Sequence, residues 1–154
     1  MPVIRLVTDL DAPPERAFDA SLDLDLELRA GAPYGIRIAR RSGRAGGIIA
    51  MGETVTWQAW QLGLPVSHTS RITAHDRPRR FVDEMDRGVF ADFRHEHVFE
   101  PLPGGRTRMT DTVTYHAPLG PLGRLAERLF VDTRLRRMLA DRNAEIARVC
   151  RTST

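Results

Sequence analysis

Val89-Phe-Ala-Asp-Phe-Arg-His-Glu-His-Val-Phe-Glu100 has the period-two rhythm of a half-buried strand. Its odd positions are Val89, Ala91, Phe93, His95, His97 and Phe99, while the even ones include Asp92, Arg94, Glu96 and Glu100. Successive side chains of a strand leave opposite faces, so His95 and His97 are predicted to point inward, side by side, with Glu96 toward solvent. Turn signals close the segment on both sides: Asp86-Arg-Gly88 before it and Pro101-Leu-Pro-Gly-Gly105 after it.

The same pattern extends in both directions at spacings of about ten residues. Further strand-like segments are Gly35–Arg40, Ile48–Leu62, Val66–His75, Arg80–Met85 and Thr107–His116, separated by Ser42-Gly-Arg-Ala-Gly-Gly47, Gly63-Leu-Pro65 and Asp76-Arg-Pro78. None of these links is long enough for a parallel crossover, so the sheet is predicted to be antiparallel. Upstream, Val3–Leu10 alternates as another strand, with Ile4, Leu6, Thr8 and Leu10 on the buried face. Asp11-Ala-Pro-Pro14 then supplies prolines where a helix begins, near Pro14. Leu22, Leu24, Leu26 and Leu28 alternate with acids, a rhythm that taken alone reads as a strand. Downstream, Leu122, Leu125, Ala126 and Leu129 form one helical stripe, and Leu135, Met138, Leu139, Ile146 and Val149 form a second. The stripes are out of phase, which predicts a kink near Val131–Thr133 and a longer helix over about Thr133–Arg148.

With 154 residues, 42% hydrophobic and 28% charged, the chain is expected to form one domain over residues 1–154 with a substantial core, and it does not have a disordered composition. No apolar run is long enough to span a membrane. The Met-Pro-Val-Ile-Arg-Leu start lacks the features of an export signal, and one cysteine, Cys150, allows no internal disulfide; the expected location is the cytoplasm. The net charge is only +3 although the pI is about 9.9, because every basic residue other than histidine is arginine. The arginines are scattered, without the continuous basic stripe of a nucleic-acid binder, so no nucleic-acid partner is expected.

Several ionisable residues share faces with hydrophobic ones. Besides His95 and His97, the alternation places Glu53 with Val55 and Trp57, His68 with Val66 and Ile72, Asp83 with Phe81 and Met85, and Asp111 with Met109, Val113 and Tyr115. Arg142 lies on the helical arc of Leu135, Met138, Ile146 and Val149. Burying so many unpaired ionisable groups would cost several kcal/mol each, so they either pair internally or line a hydrated cavity. Arg142 bonded to Asp111 or Glu53, with the histidines bonded to Asp83, would make a purely structural network. A polar floor in an apolar ligand cavity is the second reading. A metal site is the third, but His-x-His supplies only two ligands, and neither a metal nor a cofactor is expected. Phosphate-loop, nucleophile-elbow and Cys-x-x-Cys motifs are absent from the sequence.

The stretches Ala12-Pro-Pro-Glu-Arg-Ala-Phe18, Gly52-Glu-Thr-Val-Thr-Trp57, Phe81-Val-Asp-Glu-Met-Asp-Arg-Gly-Val-Phe90, His95-Glu-His-Val-Phe99, Thr107-Arg-Met-Thr-Asp111 and Pro118-Leu-Gly-Pro-Leu-Gly123, in this order, resemble the START-like (SRPBCC, Bet v 1-like) superfamily, and within it the bacterial polyketide cyclase/dehydrase-type ligand-binding group. The resemblance covers nearly the whole chain. It implies an α+β helix-grip fold: a curved antiparallel sheet of six to seven strands around a long C-terminal helix, with short helices after the first strand and a cavity between sheet and helix. Leu22–Leu28 then belongs to a helical insertion, against its period-two rhythm.

Three functions follow as expectations. The first is binding of a small, mostly hydrophobic ligand with one polar or anionic group, lined by Glu53, Trp57, His68, Asp83, Phe93, His95, His97, Asp111, Tyr115, Met138 and Arg142. The second is a cyclase or dehydratase in which His95 or His97 acts as acid or base. The third is a domain whose cavity is filled by its own side chains and which works through protein contacts, a second copy of the chain being one candidate partner.

Overall fold

The computed structural model describes residues 2–44, 46–61 and 63–152. Seven strands make one antiparallel sheet: β1 (Val3–Leu10), β2 (Arg37–Arg41), β3 (Thr54–Gln61), β4 (Leu64–Asp76), β5 (Arg80–Arg87), β6 (Asp92–Leu102) and β7 (Arg106–His116), in spatial order β1-β7-β6-β5-β4-β3-β2. Only the step from β1 to β2 crosses the sheet, and it is made by helices α1 (Pro14–Ser21) and α2 (Leu24–Gly31) and a 3₁₀ turn at Ala32–Tyr34. Helix α3 (Gly120–Ala126), a π turn at Glu127–Val131 and helix α4 (Asp132–Arg151) complete the chain. Register shifts in the β2–β3 and β4–β5 pairings mark bulges, which add bend and twist to the curved sheet. The architecture is the helix-grip α+β fold.

Local chemistry explains where the elements start. Asp23 caps α2 by accepting from the Asp25 N–H at 2.9 Å, and this cap turns the Leu/Asp alternation into a helix with Leu24, Leu26 and Gly31 buried. The period-two strand reading of Leu22–Leu28 is therefore overturned and the helical insertion is present. Strand β3 begins at Thr54, later than Ile48, because Gly52 turns the chain at φ +78°. The end expected at Leu62 lies outside the described residues, as does Ala45 in the preceding turn. Likewise β6 starts at Asp92, after a bend over Val89–Ala91.

The main core lies between the sheet and α1, α2 and α4. Phe18 is fully buried and meets Phe81 and Phe99 edge-on, at ring separations of 5.4 Å each. A second cluster unites Ile4, Val113, Tyr115 and Leu139. The expected break between the two C-terminal stripes is a π turn just before α4. The α4 stripe faces inward, whereas the α3 stripe does not: Leu122 is 75% exposed, and Leu125, Leu129 and Phe130 are exposed with it. None of the described helices is long and apolar enough to cross a membrane.

Strand alternation holds on β6, with His95 and His97 buried on the concave face and Glu96 on the other. Glu96 pairs with Arg80 and, at 3.0 Å, with Arg94, and the Arg80 hydrogen bond depresses its pKa. Because this pair sits at the solvent-facing side, Glu96→Gln is expected to lower stability by less than about 1 kcal/mol in urea unfolding; a loss of several kcal/mol would mean that Glu96 is part of the inner network.

Candidate functional site

Adjacent strands bring four ionisable residues together. In the ladder Asp83 lies opposite His95, Phe81 opposite His97, and His97 opposite Asp111, so the two histidines are flanked by a carboxylate on either side. Their rings meet tilted, at 3.7 Å between centroids, and Phe81 stacks on His97 at 4.0 Å. His95 Nε2 is 2.9 Å from Asp111 Oδ1, and His97 Nδ1 is 2.8 Å from the same oxygen, although off the line of a well-aligned hydrogen bond. The opposite nitrogens face Asp83 Oδ2, at 3.2 Å for His97 Nε2 and 3.8 Å for His95 Nδ1. Each imidazole thus spans two carboxylates.

Helices close the cluster from above. Asn143 on α4 donates to Asp111 Oδ2 at 2.6 Å and to Thr8 Oγ1 of β1 at 3.1 Å. Arg142 donates from Nε to Glu27 on α2 and from Nη2 to the Ser21 carbonyl at 2.9 Å, and its Nη1 is 3.7 Å from Asp111 Oδ1. Asp111 is completely buried and His97 is 1% exposed. Burial works against the charged form of each member. For Asp111, burial pushes up, but the two adjacent histidines outweigh it and hold its carboxyl well below the ordinary range. For His97, burial pulls down while Asp111 and Asp83 pull up, and the net shift is upward. His95 moves down, through burial and the neighbouring His97. Burial pushes the Glu27 carboxyl up, and Arg142 offsets only part of this.

The residues expected from the sequence divide into three groups. Asp83, His95, His97, Asp111 and Arg142 are brought together. Trp57, His68, Phe93, Tyr115 and Met138 are not in that cluster. Trp57 pairs with His68 across β3 and β4, and His68 meets Phe93 edge-on at 5.1 Å. Burial lowers the His68 pKa. Tyr115 is buried, 3.4 Å through its hydroxyl from Asp132, and burial pushes its pKa up to about 12. Met138 is half-buried on α4. Glu53 is a correction: it precedes β3 because Gly52 resets the alternation, and its carboxylate serves the Ala50 N–H at 2.9 Å and Arg41 at 3.4 Å. It is not a partner of Arg142. The partners absent from the sequence reading are Glu27, Asn143 and Thr8. Helical spacing would have revealed two of them, since Glu27 is three residues from Leu24, and Asn143 is four from Leu139 and three from Ile146.

Helix α4 packs on α1, α2 and β1 and makes no comparable contact with β3, β4 or β5. Trp57 and His68 consequently remain half-buried, and Phe90, Phe93 and Leu135 of α4 are half-buried at the edge of the Ile4–Val113–Tyr115–Leu139 cluster. Two open clefts lie elsewhere, one of about 360 Å³ beside Ile38 and Arg41 and one of about 600 Å³ beside Pro121 and Arg128; neither is lined by the histidines.

Fold and site together define a helix-grip protein with a buried imidazole–carboxylate cluster on the inner face of its sheet. The chain belongs to the polyketide cyclase / dehydrase and lipid transport family, whose model matches residues 1–151. Among solved structures it is similar to TTHA0849 from Thermus thermophilus, at 22% identity, TM-score 0.68 and coverage of 99% of this chain and 100% of that one. Norcoclaurine synthase from Thalictrum flavum aligns at 12% identity and TM-score 0.69, covering 99% and 87%. A START superfamily protein from Mycobacterium smegmatis aligns at 12% and 0.64, covering 96% and 98%. At these identities the likeness is one of fold. No curated protein sequence matches the chain.

Proposed function

We propose that the protein binds a small, mostly apolar ligand along the inner face of the sheet, with one polar group directed at His68 and Asp83. The observation that carries this reading is the half-buried strip of Trp57, His68, Phe90 and Phe93, bordered by Leu135 of α4. Completing the burial of such side chains contributes roughly 25 cal/mol per Å² of apolar surface, while a few polar groups fix orientation. Membership of a family described by cyclase, dehydrase and lipid-transport activities supports a small-molecule ligand of this character. Arg142 is a weaker anchor than its sequence position implies, because Glu27, Ser21 and Asn143 already engage its guanidinium.

A cyclase or dehydratase reading needs a histidine nitrogen free to meet substrate. Both ring nitrogens of His95 and of His97 face carboxylates. The geometry therefore favours binding over acid–base catalysis by these two residues.

Native mass spectrometry of the purified protein, followed by titration with a fatty-acid-type fluorescent probe, tests the proposal. A bound small molecule, or probe binding that Phe93→Asp weakens at least tenfold in a folded variant, is the expected result. Absence of both in folded wild-type protein would overturn it.

A further inference from the structure

We propose that Asp83, His95 and His97 form a binding site for a first-row divalent metal ion, with zinc as the reference case and Asp111 as the carboxylate behind both histidines. The site does not depend on the ligand reading above, since it is defined by side chains of the chain alone. His-x-His on β6 supplies two nitrogen ligands, and the third ligand that the sequence lacked comes from the neighbouring strand. One ligand atom each from Asp83, His95 and His97 lie within 4.8 Å of one another, and Asp83 Oδ2 is 3.8 Å from His95 Nδ1 and 3.2 Å from His97 Nε2. A tetrahedral ion with bonds of about 2.0 to 2.1 Å sets its ligand atoms roughly 3.4 Å apart, close to the two nitrogen–oxygen separations.

What distinguishes the cluster from a chance meeting of ligand types is the arrangement behind it. A metal-bound histidine commonly donates its other ring N–H to a carboxylate, which fixes the tautomer and turns the remaining lone pair to the ion. Asp111 Oδ1 occupies that position for His95, whose Nε2 it meets in a hydrogen bond at 2.9 Å, and it lies 2.8 Å from His97 Nδ1 without the alignment of a hydrogen bond. Asn143 holds the other Asp111 oxygen at 2.6 Å. With Nε2 protonated toward Asp111, His95 presents its Nδ1 lone pair toward Asp83, whereas His97 Nε2 hydrogen-bonds Asp83 and must give up its proton to bind an ion.

Charge points the same way. Three carboxylates, Glu27, Asp83 and Asp111, surround one guanidinium, Arg142, beside the two imidazoles. This excess of carboxylates favours a divalent cation among them. Two nitrogens and a carboxylate oxygen suit zinc and ferrous iron, whereas calcium and magnesium prefer oxygen alone. Asp83, with a 19% exposed side chain against 8% and 1% for the histidines, is the ligand that solvent reaches, so further coordination positions would open on its side.

Metal-free protein titrated calorimetrically with zinc chloride, and with cobalt(II) as a spectroscopic probe, tests the site. One ion per chain is expected, with the strong visible bands of four- or five-coordinate cobalt and a raised thermal midpoint. Asp83→Asn and His97→Gln should abolish binding, Asp111→Asn should weaken it 10- to 100-fold, and His116→Gln should leave it unchanged. Wild-type protein that takes up no zinc, or cobalt with only the weak bands of the aqueous ion, would overturn the proposal irrespective of whether the variants fold. So would a folded Asp83→Asn variant that binds as wild type does.

Discussion

Asp111→Asn is expected to lower folding stability by about 3 to 5 kcal/mol, the range for removing one partner of a buried ionic network. The carboxylate is fully buried and accepts from His95 at 2.9 Å and Asn143 at 2.6 Å, with His97 Nδ1 at 2.8 Å and Arg142 at 3.7 Å beside it. Asparagine keeps the shape but loses the charge that opposes His97 and Arg142. It also turns an NH₂ group toward at least one existing donor, which leaves buried donors unpaired. Urea unfolding followed by circular dichroism measures the loss, and a change below about 1 kcal/mol would place Asp111 with surface pairs.

The same variant carries a pH signature. The His97 pKa is raised in the fold, where Asp111 and Asp83 overcome burial. A raised histidine contributes stability that is complete below the unfolded value of about 6.5 and lost as pH rises through the folded value. Wild-type stability should therefore decline on the alkaline side of about 6.5. In Asp111→Asn that decline should flatten, because His97 has lost its nearer carboxylate. A decline of unchanged slope would show that Asp83 alone sets the His97 proton affinity. The acid side has the opposite sign. Asp111 is depressed, so its contribution is present above the unfolded value of about 3.9 and is lost as pH falls through the folded one.

Strand alternation carried much of this arrangement in the sequence. One period-two segment fixed the orientation of His95, His97 and Glu96, and adjacent segments placed Asp83 and Asp111 on the same side. The alternation failed where the backbone left the ladder. Gly52, at φ +78°, put Glu53 in a turn although its position matched the inward set. It failed again at Leu22–Leu28, where acids interleaved with leucines mimic a strand and a single cap, Asp23, makes a helix. That misreading concealed Glu27: in a strand it lies opposite the leucines, whereas one helical turn after Leu24 it reaches the core side. Side-chain spacing also could not show that the α3 leucines face outward, since an apolar stripe is the same pattern whether or not anything covers it.

Arg142→Met should produce a loss of similar size, about 3 to 5 kcal/mol, and the structure identifies where it goes. The guanidinium joins α4 to the first two helices through Glu27 and the Ser21 carbonyl near the end of α1, and it lies close enough to Asp111 to offset that charge. Methionine fills much of the volume, so the effect reports the polar partners rather than a cavity. Glu27 is then left as a carboxylate among buried groups, in surroundings that already raise its pKa. Part of the loss should be recovered by Glu27→Gln in the Arg142→Met background, although Glu27→Gln alone in the wild type should be destabilising. A coupling of at least about 1 kcal/mol in this double-mutant cycle is the expected result. Additive effects would assign the role of Arg142 to Asp111 and Ser21, and a loss below about 1 kcal/mol for Arg142→Met itself would remove its structural role altogether.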